Sequence, residues 1–360
     1  MPWVAVKQFT KMLVAPETRD LSTTAQTLAD WLRARMPDAE ELRVDHLEYP
    51  QGAGRSHETI LFEAAWSVNA VRHARGCVVR IKPVRHTVFP DDLFAQQYQV
   101  MKLMHERGQV RVARPLWFEA DASVLGAPFF VMERVRGRVA VSFPPYRDVG
   151  WVSEATPAER AKMWQNGVRQ LAAIQSTPIE AAAFLGGPPG AQSGLAQEWD
   201  KYERFVDWVS RERPWPVFRR ALDRLRASWP KNQPPGLVWG DARLGNMMFD
   251  ERFEVAAVMD WEQPSLGGAL NDLAWWLVIS EMMHGARPDR PHLPGMGTRE
   301  DTIALWSEVT GISAADVEWY EDFTRLKLSL TAVRLGQLKT LPMPDEAALA
   351  QRMKVASMPA

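Results

Sequence analysis

The sequence has little of what marks secreted, membrane-spanning or strongly charged proteins. Its 360 residues include one cysteine, Cys77, so no disulfide can form within the chain. It has no stretch of about 18 consecutive apolar residues, the length that a membrane-spanning helix requires. The 43 basic and 44 acidic residues nearly cancel, so the overall charge attracts neither nucleic acid nor anionic lipid. We therefore expect a soluble, cytoplasmic protein without nucleic-acid partners or membrane insertion.

Tyrosine is also scarce, because the chain has five tyrosines against sixteen tryptophans. Many of the tryptophans recur at helical spacing among apolar residues, which is typical of core packing. Cys77 lies in the apolar run CVVRI, and we predict a buried strand thiol there and not a nucleophile. A chain of this length with 46% hydrophobic residues can bury more than one core, so two lobes are expected.

Residues 1–41 are predicted to form an N-terminal extension that contains a brace helix. Leu28 and Trp31 recur at helical spacing, the Ser-Thr-Thr stretch at residues 22–24 can cap the start, and Pro37 stops the helix. The segment before residue 20 shows no sustained period.

Residues 42–135 are predicted to form a small lobe with an antiparallel sheet. Three β-rich runs come first, LRVDHLEY, ETILFEAAWSV and CVVRIKPV, with QGAGRSH and NAVRHARG as their connections. A helical pattern follows at residues 92–107, and two further strands are expected in RPLWFEAD and APFFVMERV. The order is three strands, one helix and two strands.

Residues 136–360 are predicted to form a larger, mostly helical lobe. Long helices are expected at residues 157–175 and 197–211. One β-rich island interrupts them, GLVWGDARLGNMMFDERFEVAAVMDWEQP, in which two apolar runs flank a polar loop. The predicted fold class is α+β.

The polar residues of this island have the chemistry that phosphoryl transfer needs. Four residues separate Asp241 from Asn246, and Asp260 ends the next apolar run. One carboxylate must orient the attacking hydroxyl, while a second carboxylate and an amide oxygen hold the Mg²⁺ that neutralises a triphosphate. Asp241 fits the base, and Asn246 with Asp260 fits the metal. Taken singly, Asp241 is also typical of a turn and Asn246 of a left-handed loop position.

The stretch WGDARLGNMMFD followed by VMDWE resembles the catalytic and metal-binding motifs of the aminoglycoside phosphotransferase and choline kinase superfamily. VLGAPFFVMERVRGR and NDLAWW are similar to the branch that includes the kinase-like domains of some acyl-CoA dehydrogenases. The similarity runs from about residue 42 to residue 334. It implies a bilobal protein-kinase-like fold and transfer of the γ-phosphate of ATP, with Mg²⁺, to a hydroxyl of a small molecule.

The resemblance also implies a nucleotide site in the smaller lobe, and it implies that the larger lobe carries the catalytic and metal-binding loops and the acceptor site. Gly52, Gly54 and Ser56 would cover the triphosphate, because small residues let backbone N–H groups approach phosphate oxygens. An ordinary hairpin loop is the alternative for this stretch. FFVMERVRG looks like the hinge whose backbone bonds the adenine edge around Glu133 and Val135, although a plain apolar strand describes the same residues.

Arg80 stands where lysine is common in the superfamily and would bind the α- and β-phosphates. The neighbouring Lys82 is predicted to be a solvated charge at the end of the strand. Two residues depart from the family pattern. Gln97 replaces the helix glutamate that usually pairs with this cation, and Trp239 stands where many relatives carry histidine.

Several interpretations stay open beside the enzyme. The departures at Gln97 and Trp239 suit a pseudokinase that binds nucleotide without turnover and acts as a regulatory or partner-binding module. A glycoside hydrolase could use Asp241 and Asp260 as its paired carboxylates, but it would not need the other parts. The resemblance implies that Asp272 braces a helix or loop. Glu262 either acts next to the metal ligands, contacts the substrate or is solvated. The acceptor and the oligomeric state are not predicted.

Overall fold

The structure is a computed structural model that describes residues 19–50, 57–83, 87–187 and 193–356. The chain divides into two compact units. The smaller unit comprises the described residues up to Val88 together with Ala113–Arg134 and Gln337–Pro342, and the rest forms the larger unit. In the described part of the chain, no helix is long and apolar enough to cross a membrane.

The elements of the first half of the chain are, in order, α1 (Leu21–Arg33), β1 (Glu40–Glu48), β2 (Glu58–Val68), β3 (Val71–Ile81), α2 (Phe94–Arg107), β4 (Pro115–Glu119), α3 (Ala122–Leu125), β5 (Phe129–Glu133), β6 (Arg138–Val139), α4 (Trp151–Glu154) and α5 (Pro157–Gln175). Those of the second half are a 3₁₀ helix (Ile179–Leu185), α6 (Leu195–Val209), α7 (Pro216–Ala227), a 3₁₀ turn (Leu244–Asn246), β7 (Met247–Phe249), β8 (Val255–Val258), α8 (Leu270–His284), α9 (Arg299–Thr310), α10 (Val317–Gln337) and α11 (Glu346–Arg352).

The smaller unit is an antiparallel five-stranded sheet in the order β1-β2-β3-β5-β4, covered by α1. Burial alternates along β2, as expected for a strand with one face on a core. Trp31 of α1 anchors that core. Its ring centroid lies 4.8 Å from that of Phe129, and its Nε1 donates to Glu119 at 2.8 Å. Cys77 is buried in the same core, as predicted, and burial raises the pKa of its thiol to about 12.

Two local predictions for this unit were wrong. The stretch NAVRHARG is not a long connection, because Asn69 and Ala70 form a two-residue turn with φ of 50° and 63° and β3 already begins at Val71. Positive φ at both central residues matches the twist of a hairpin. Helix α1 is capped by Asp20, whose carboxylate accepts the backbone N–H of Ser22, and it ends at Arg33 before reaching Pro37.

The larger unit is mostly helical, as predicted, with α5, α8 and α9 at its centre. Trp164 of α5 donates to Thr302 of α9 at 3.1 Å. Gly167 lets α8 approach α5 closely, because a Cβ there would meet the ring of Trp276 at 2.9 Å. Helix α2 belongs to this unit and not to the smaller one, since it packs against the 3₁₀ helix at Ile179–Leu185.

A small antiparallel sheet of three strands, β6-β7-β8, lies within the larger unit. Met247 pairs with Val258, so the residues before β7 and after β8 come together at one end of this ribbon. This is the β-rich island of the sequence, and it positions the polar loop.

Candidate active site

The polar loop begins where two backbone segments pair. Val238 and Ser265 exchange two backbone hydrogen bonds, at 2.8 and 3.2 Å. The chain then turns at Gly240, whose φ of 101° favours glycine. A side chain there would also meet the carbonyl oxygen of Gln263 at 2.6 Å, so this turn requires glycine.

Asp272 of α8 holds this turn from behind. Its carboxylate accepts the backbone N–H groups of Trp239 and Gly240 at 2.5 and 2.9 Å. Burial raises the pKa of Asp272 to about 6, although these two N–H groups act against the rise. Asp272 is therefore a brace for the loop, as the sequence indicated.

Asp241 is presented at the front of the loop by three donors. Its Oδ1 accepts from Trp275 Nε1 at 2.8 Å, and its Oδ2 accepts from Asn246 Nδ2 at 2.6 Å and from Arg243 Nε at 3.0 Å. The side chain remains 33% exposed. The carboxylate is thus fixed in orientation while it stays open to a reacting group.

Asn246 and Asp260 lie at the same end of the β7–β8 ribbon. The backbone carbonyl of Asn246 accepts the N–H of Met259 at 2.9 Å, which places the next residue, Asp260, beside it. Asp260 has a φ of 62°, in the left-handed region that Asp adopts more readily than most residues. The structure therefore places Asp241 and Asn246 in direct contact and the backbone of Asp260 beside Asn246. The catalytic and metal-binding roles of the three residues stay predictions.

Trp239 stabilises this arrangement in a way that the sequence analysis missed. Its ring is fully buried, and its Nε1 donates to the backbone carbonyls of Met259 and Asp260 at 2.8 and 3.1 Å. The tryptophan in this position thus makes polar contacts in addition to packing in the core. It fixes the backbone that carries the carboxylate of Asp260.

Arg243 is a further residue of the site that sequence reasoning did not find. Its guanidinium donates to Asp241 through Nε and to Ser142 Oγ through Nη1 at 2.7 Å. Burial would lower the pKa of Arg243, but the carboxylates of Asp241 and Asp260 outweigh it and raise the pKa above its usual value. A permanent positive charge therefore stands beside the two carboxylates. The sequence feature that could have indicated this role is the position of Arg243, two residues after Asp241.

A second group of charges lies buried behind the loop, and we call Glu198, Lys201, Ser265, Asn271 and Lys327 the rear cluster. Lys327 Nζ donates to Glu198 at 2.9 Å and to Asn271 at 2.7 Å. Ser265 Oγ donates to Glu198 at 2.6 Å, and Lys201 Nζ lies 4.0 Å from the same carboxylate. Ser265 and Asn271 connect the cluster to the loop, because the first pairs with Val238 and the second precedes Asp272.

The rear cluster keeps its acid ionised despite complete burial. Burial would raise the pKa of Glu198, but the charges of Lys327 and Lys201 and the bond from Ser265 hold it at about 2. Burial also lowers the pKa of Lys327, and Glu198 opposes that change. The pair is therefore stable as an ion pair only while both members are present.

The donor set at the front of the loop fits Mg²⁺. Among the described residues, no three His, Cys, Asp or Glu side chains are grouped so as to hold a metal ion alone. Asn246 donates to Asp241 through Nδ2, so its Oδ1 is the atom that it can offer to a cation. An amide oxygen, the Asp260 carboxylate and substrate phosphate oxygens are the hard ligands that Mg²⁺ prefers.

The predicted nucleotide residues of the smaller unit are only partly described. Gly52, Gly54 and Ser56 lie outside the described residues. Arg80 lies in β3 opposite Phe130 of β5, and its Nη2 is 3.2 Å from Nδ1 of His57.

The predicted hinge residues fall in different units. Glu133 ends β5 in the smaller unit, where its carboxylate lies 3.4 Å from Arg75 and its backbone N–H donates to the carbonyl of Arg114 at 2.9 Å. Val135 is the first residue of the next segment of the larger unit. Gln97 is buried in α2 of the larger unit. The nucleotide roles of Arg80, Glu133 and Val135 stay predictions.

A family model described as "Phosphotransferase enzyme family" matches residues 62–309, well over half of the chain. The chain belongs to the phosphotransferase enzyme family. Membership in this family agrees with the superfamily that the motifs around Asp241 and Asp260 indicated.

Individual proteins similar to this family member fall into two groups. Human acyl-CoA dehydrogenase family member 11 is 26% identical over 278 residues, which cover 74% of this chain and 33% of that protein. The chain thus spans about a third of the length of this relative. A solved structure from Ralstonia eutropha, described as a candidate aminoglycoside phosphotransferase, has a TM-score of 0.64 at 22% identity and covers 91% of this chain and 94% of that one.

The amicoumacin kinase hAmiN, solved in complex with AMP-PNP, Ca²⁺ and Ami, is similar in fold, with a TM-score of 0.53 at 13% identity and coverage of 93% and 95%. These likenesses confirm the predicted fold class, a protein-kinase-like α+β fold with a small antiparallel-sheet part and a larger helical part.

Proposed function

We propose that this phosphotransferase moves the γ-phosphate of ATP to a hydroxyl of a small molecule, with Asp241 as the base and Asn246 and Asp260 as Mg²⁺ ligands. The observation that carries the proposal is the direct contact of 2.6 Å between Asp241 and Asn246, beside Asp260. The related kinase solved with AMP-PNP supports a nucleoside triphosphate as donor.

The chain's own residues divide the work between orientation and charge. The oxygen of the acceptor hydroxyl bonds to the γ-phosphorus, and Asp241 accepts the proton of that hydroxyl. The bond between the γ-phosphorus and the β,γ-bridging oxygen breaks at the same time, and ADP leaves. Trp275 and Asn246 hold the carboxylate in the orientation that this step needs. Bound Mg²⁺ supplies charge neutralisation for the triphosphate. Arg243 adds a fixed positive charge next to the reacting carboxylate.

A transfer assay tests this proposal directly. Purified protein with Mg·ATP and a panel of alcohols should convert ATP to ADP and yield a phosphorylated acceptor by mass spectrometry. Asp241→Ala should abolish both signals, and chelation of Mg²⁺ should do the same to the wild type. If no acceptor gains phosphate and Asp241→Ala leaves basal ATP hydrolysis unchanged, catalysis by this site is refuted.

A pseudokinase is the second candidate, and the observation in its favour is the neutral Gln97, buried in α2, where a glutamate is expected. Calorimetry separates the two. Nucleotide binding that survives chelation of Mg²⁺, together with an absence of turnover, would favour a binding module. Binding that requires Mg²⁺ would favour the enzyme.

A further inference from the structure

The guanidinium of Arg243 is held in one orientation beside the candidate base. Its Nε donates to Asp241 at 3.0 Å, and its Nη1 donates to Ser142 Oγ at 2.7 Å. Ser142 lies 101 positions earlier in the chain, so two separate segments hold the same side chain. A planar group that is fixed through two of its three nitrogens cannot turn freely, and the direction of the third nitrogen is therefore set as well.

Gly245 provides the space in which this guanidinium lies. A Cβ at position 245 would meet Arg243 Nη1, and it would come within 2.7 Å of Ser142 Oγ, a separation that requires one of the groups to move. Any other residue at this position would displace the guanidinium or its serine partner. The loop is thus built around the side chain of Arg243.

The third nitrogen of the guanidinium is open to a ligand. A guanidinium has five N–H groups, and the contacts with Asp241 and Ser142 use two of them. Among the described residues, Nη2 has no hydrogen-bond partner, and it is not one of the buried polar atoms that lack one, so it reaches solvent. One N–H of Nη2 is parallel to the Nε–H that binds Asp241. An oxygen atom that accepts from it therefore lies next to the Asp241 carboxylate.

The chemistry of Nη2 selects an anionic oxygen. The carboxylates of Asp241 and Asp260 raise the pKa of Arg243, so the guanidinium keeps its protons and can only donate. Carboxylate and phosphate oxygens are the acceptors that arginine binds most strongly. The two neighbouring carboxylates repel such an oxygen, and the positive charge of Arg243 offsets that repulsion.

The transferred phosphoryl group is the anion that comes nearest to Asp241 in the proposed reaction. Asp241 accepts the proton of the hydroxyl that attacks the γ-phosphorus, so a single oxygen atom lies between that proton and the phosphorus. Negative charge is spread over the other three oxygens of the group during transfer. A donor that is fixed before the reaction stabilises this charge without having to reorganise.

We propose that Arg243 is a further catalytic residue, whose Nη2 donates to an oxygen of the γ-phosphate, and that Ser142 is the positioning residue that directs Nη2 to it. The identity of this ligand rests on the proposed phosphotransfer. The physical basis is the guanidinium that is fixed at Nε and Nη1 and open at Nη2, in direct contact with the base.

Nucleotide binding tests this contact without turnover. Calorimetry at saturating Mg²⁺ gives the Kd of AMP-PNP and of ADP for the wild type and for Arg243→Met. The Kd of AMP-PNP should rise at least about tenfold in the variant, because a hydrogen bond to a charged group is lost. The Kd of ADP, which has no γ-phosphate, should change less than about twofold, since the lost contact is absent from this complex.

Arg299→Met is the matched control. Arg299 is also partly exposed, and its Nε also donates to a carboxylate, that of Glu321 at 2.7 Å, but it lies on α9. Both Kd values should stay at their wild-type levels in this variant. An unchanged Kd of AMP-PNP in Arg243→Met, or an equal rise for AMP-PNP and ADP, would overturn the proposal.

Steady-state kinetics test the role of Arg243 in the reaction. In Arg243→Met, kcat for phosphoryl transfer should fall about 10²- to 10³-fold, the usual effect of removing one donor to a developing charge. Arg243→Lys should recover part of the loss, because the ammonium keeps the charge but not the planar fork. A kcat in Arg243→Met that equals the wild-type value would contradict a catalytic role.

A carboxylate of the acceptor is the other anion that suits Nη2. In that case Arg243→Met would raise the KM of acidic acceptors alone. The KM of neutral alcohols and the Kd of AMP-PNP would stay at their wild-type values. This pattern would assign Nη2 to the acceptor and refute its assignment to the γ-phosphate.

Ser142→Ala tests the positioning. It removes the oxygen that accepts from Nη1 and leaves Arg243 present, so the guanidinium can turn about its remaining contact with Asp241. The Kd of AMP-PNP should rise about three- to tenfold, with the Kd of ADP unchanged. Ser142→Thr retains the hydroxyl and should restore the Kd of AMP-PNP. A wild-type Kd in Ser142→Ala would refute the positioning role.

The two proposals fail separately. If the wild type transfers no phosphate but Arg243→Met loses affinity for AMP-PNP and keeps its affinity for ADP, the phosphotransferase proposal fails and Arg243 stands as a γ-phosphate ligand. If the wild type transfers phosphate and Arg243→Met keeps both kcat and the Kd of AMP-PNP, the role of Arg243 is refuted and the proposed function stands.

Discussion

The front and the rear of the loop at residues 238–246 are made of the same chemical groups but differ in burial. At the front, Asp241 is one-third exposed and is held by Arg243, Asn246 and Trp275. At the rear, Asp272 and the rear cluster are buried. Carboxylates and cations thus serve two purposes on the two sides of one short segment. The exposed set can meet a substrate, whereas the buried set can only hold the backbone in place.

The largest expected effect comes from one substitution made on each side. Asp241→Asn should lower the rate of phosphoryl transfer about 10²- to 10⁴-fold, because the amide cannot accept the proton of the acceptor hydroxyl. The free energy of unfolding should fall less than in Asp272→Asn, because the side chain at position 241 is one-third exposed and water can solvate the donors that lose their acceptor. Steady-state kinetics and urea denaturation measure the two quantities.

The matched substitution Asp272→Asn should affect the free energy of unfolding more than the rate of phosphoryl transfer. Its amide NH₂ group would face the backbone N–H of Trp239 or Gly240, and a buried unpaired donor costs about 1–3 kcal/mol of unfolding free energy. If Asp241→Asn proves the more destabilising of the two, the division into a chemical front and a structural rear is wrong.

The next largest effect concerns the ion pair of the rear cluster. Lys327→Met leaves the buried Glu198 with Lys201 at 4.0 Å as its remaining cation, and breaking a buried pair costs about 3–5 kcal/mol of unfolding free energy. The double variant with Glu198→Gln should recover much of this loss, because the carboxylate that lost Lys327 is then neutral and Lys201 keeps its hydrogen bond to the carbonyl of Gln263.

Lys162→Met is the surface control for Lys327→Met. Lys162 lies 2.9 Å from Glu254, but both side chains are about half exposed, so the loss should stay below about 1 kcal/mol. Similar losses in the two lysine variants, measured by urea denaturation, would contradict a structural role for the rear cluster.

Acid should weaken the rear cluster in a defined pH window. The folded pKa of Glu198 is about 2 against an ordinary 4.5, so between these values the unfolded chain binds more protons and stability falls as the pH falls. The stability gap between the wild type and Glu198→Gln should shrink by about 2 kcal/mol from pH 6 to pH 3.

In the wild type, Asp272 opposes this loss of stability at low pH. Its folded pKa of about 6 lies above its ordinary 3.8, so its contribution to stability falls as the pH rises through that range. Glu198→Gln retains Asp272, whose pKa is raised mainly by burial, so most of this contribution cancels in the difference between the two proteins. A gap that is constant between pH 6 and pH 3 would mean that Glu198 is not held ionised by its neighbours.

The parts that the sequence could predict are those whose signal is local. Alternating burial along β2 and the helical period of α5 are visible in short windows, and the bounds of α5 match the prediction of residues 157–175. The spacing of Asp241, Asn246 and Asp260 is local as well, because one short ribbon brings them together. The turn at Asn69 and Ala70 was missed because alanine is not a typical residue for positive φ.

The parts that the sequence could not predict join residues that are distant along the chain. Glu198 and Lys327 are 129 positions apart, and nothing near either residue identifies its partner. Trp275 reaches Asp241 across 34 positions. Buried charges also contradict the ordinary expectation that a polar residue on a helix faces solvent, so the rear cluster becomes visible only once the helices are packed.

The smallest expected effect comes from removing one hydrogen-bond donor, Trp239 Nε1–H, which lies between the front and the rear of the loop. Trp239→Phe removes the Nε1–H that binds the carbonyls of Met259 and Asp260, while most of the ring volume remains. The unfolding free energy should fall by about 1 kcal/mol. Because Asp260 loses the contact that holds its backbone at a φ of 62°, the Mg²⁺ concentration for half-maximal activity should rise severalfold, with a smaller change in kcat.

Trp276→Phe provides the control for Trp239→Phe, since Trp276 is equally buried and its Nε1 has no hydrogen-bond partner among the described residues. It should cost packing energy without altering the Mg²⁺ dependence. Because both variants lose the same atoms from a buried ring, the comparison controls for the general cost of lost packing. An identical Mg²⁺ dependence in the two variants would show that Trp239 serves only as core packing, and that the backbone of Asp260 is held by the ribbon itself.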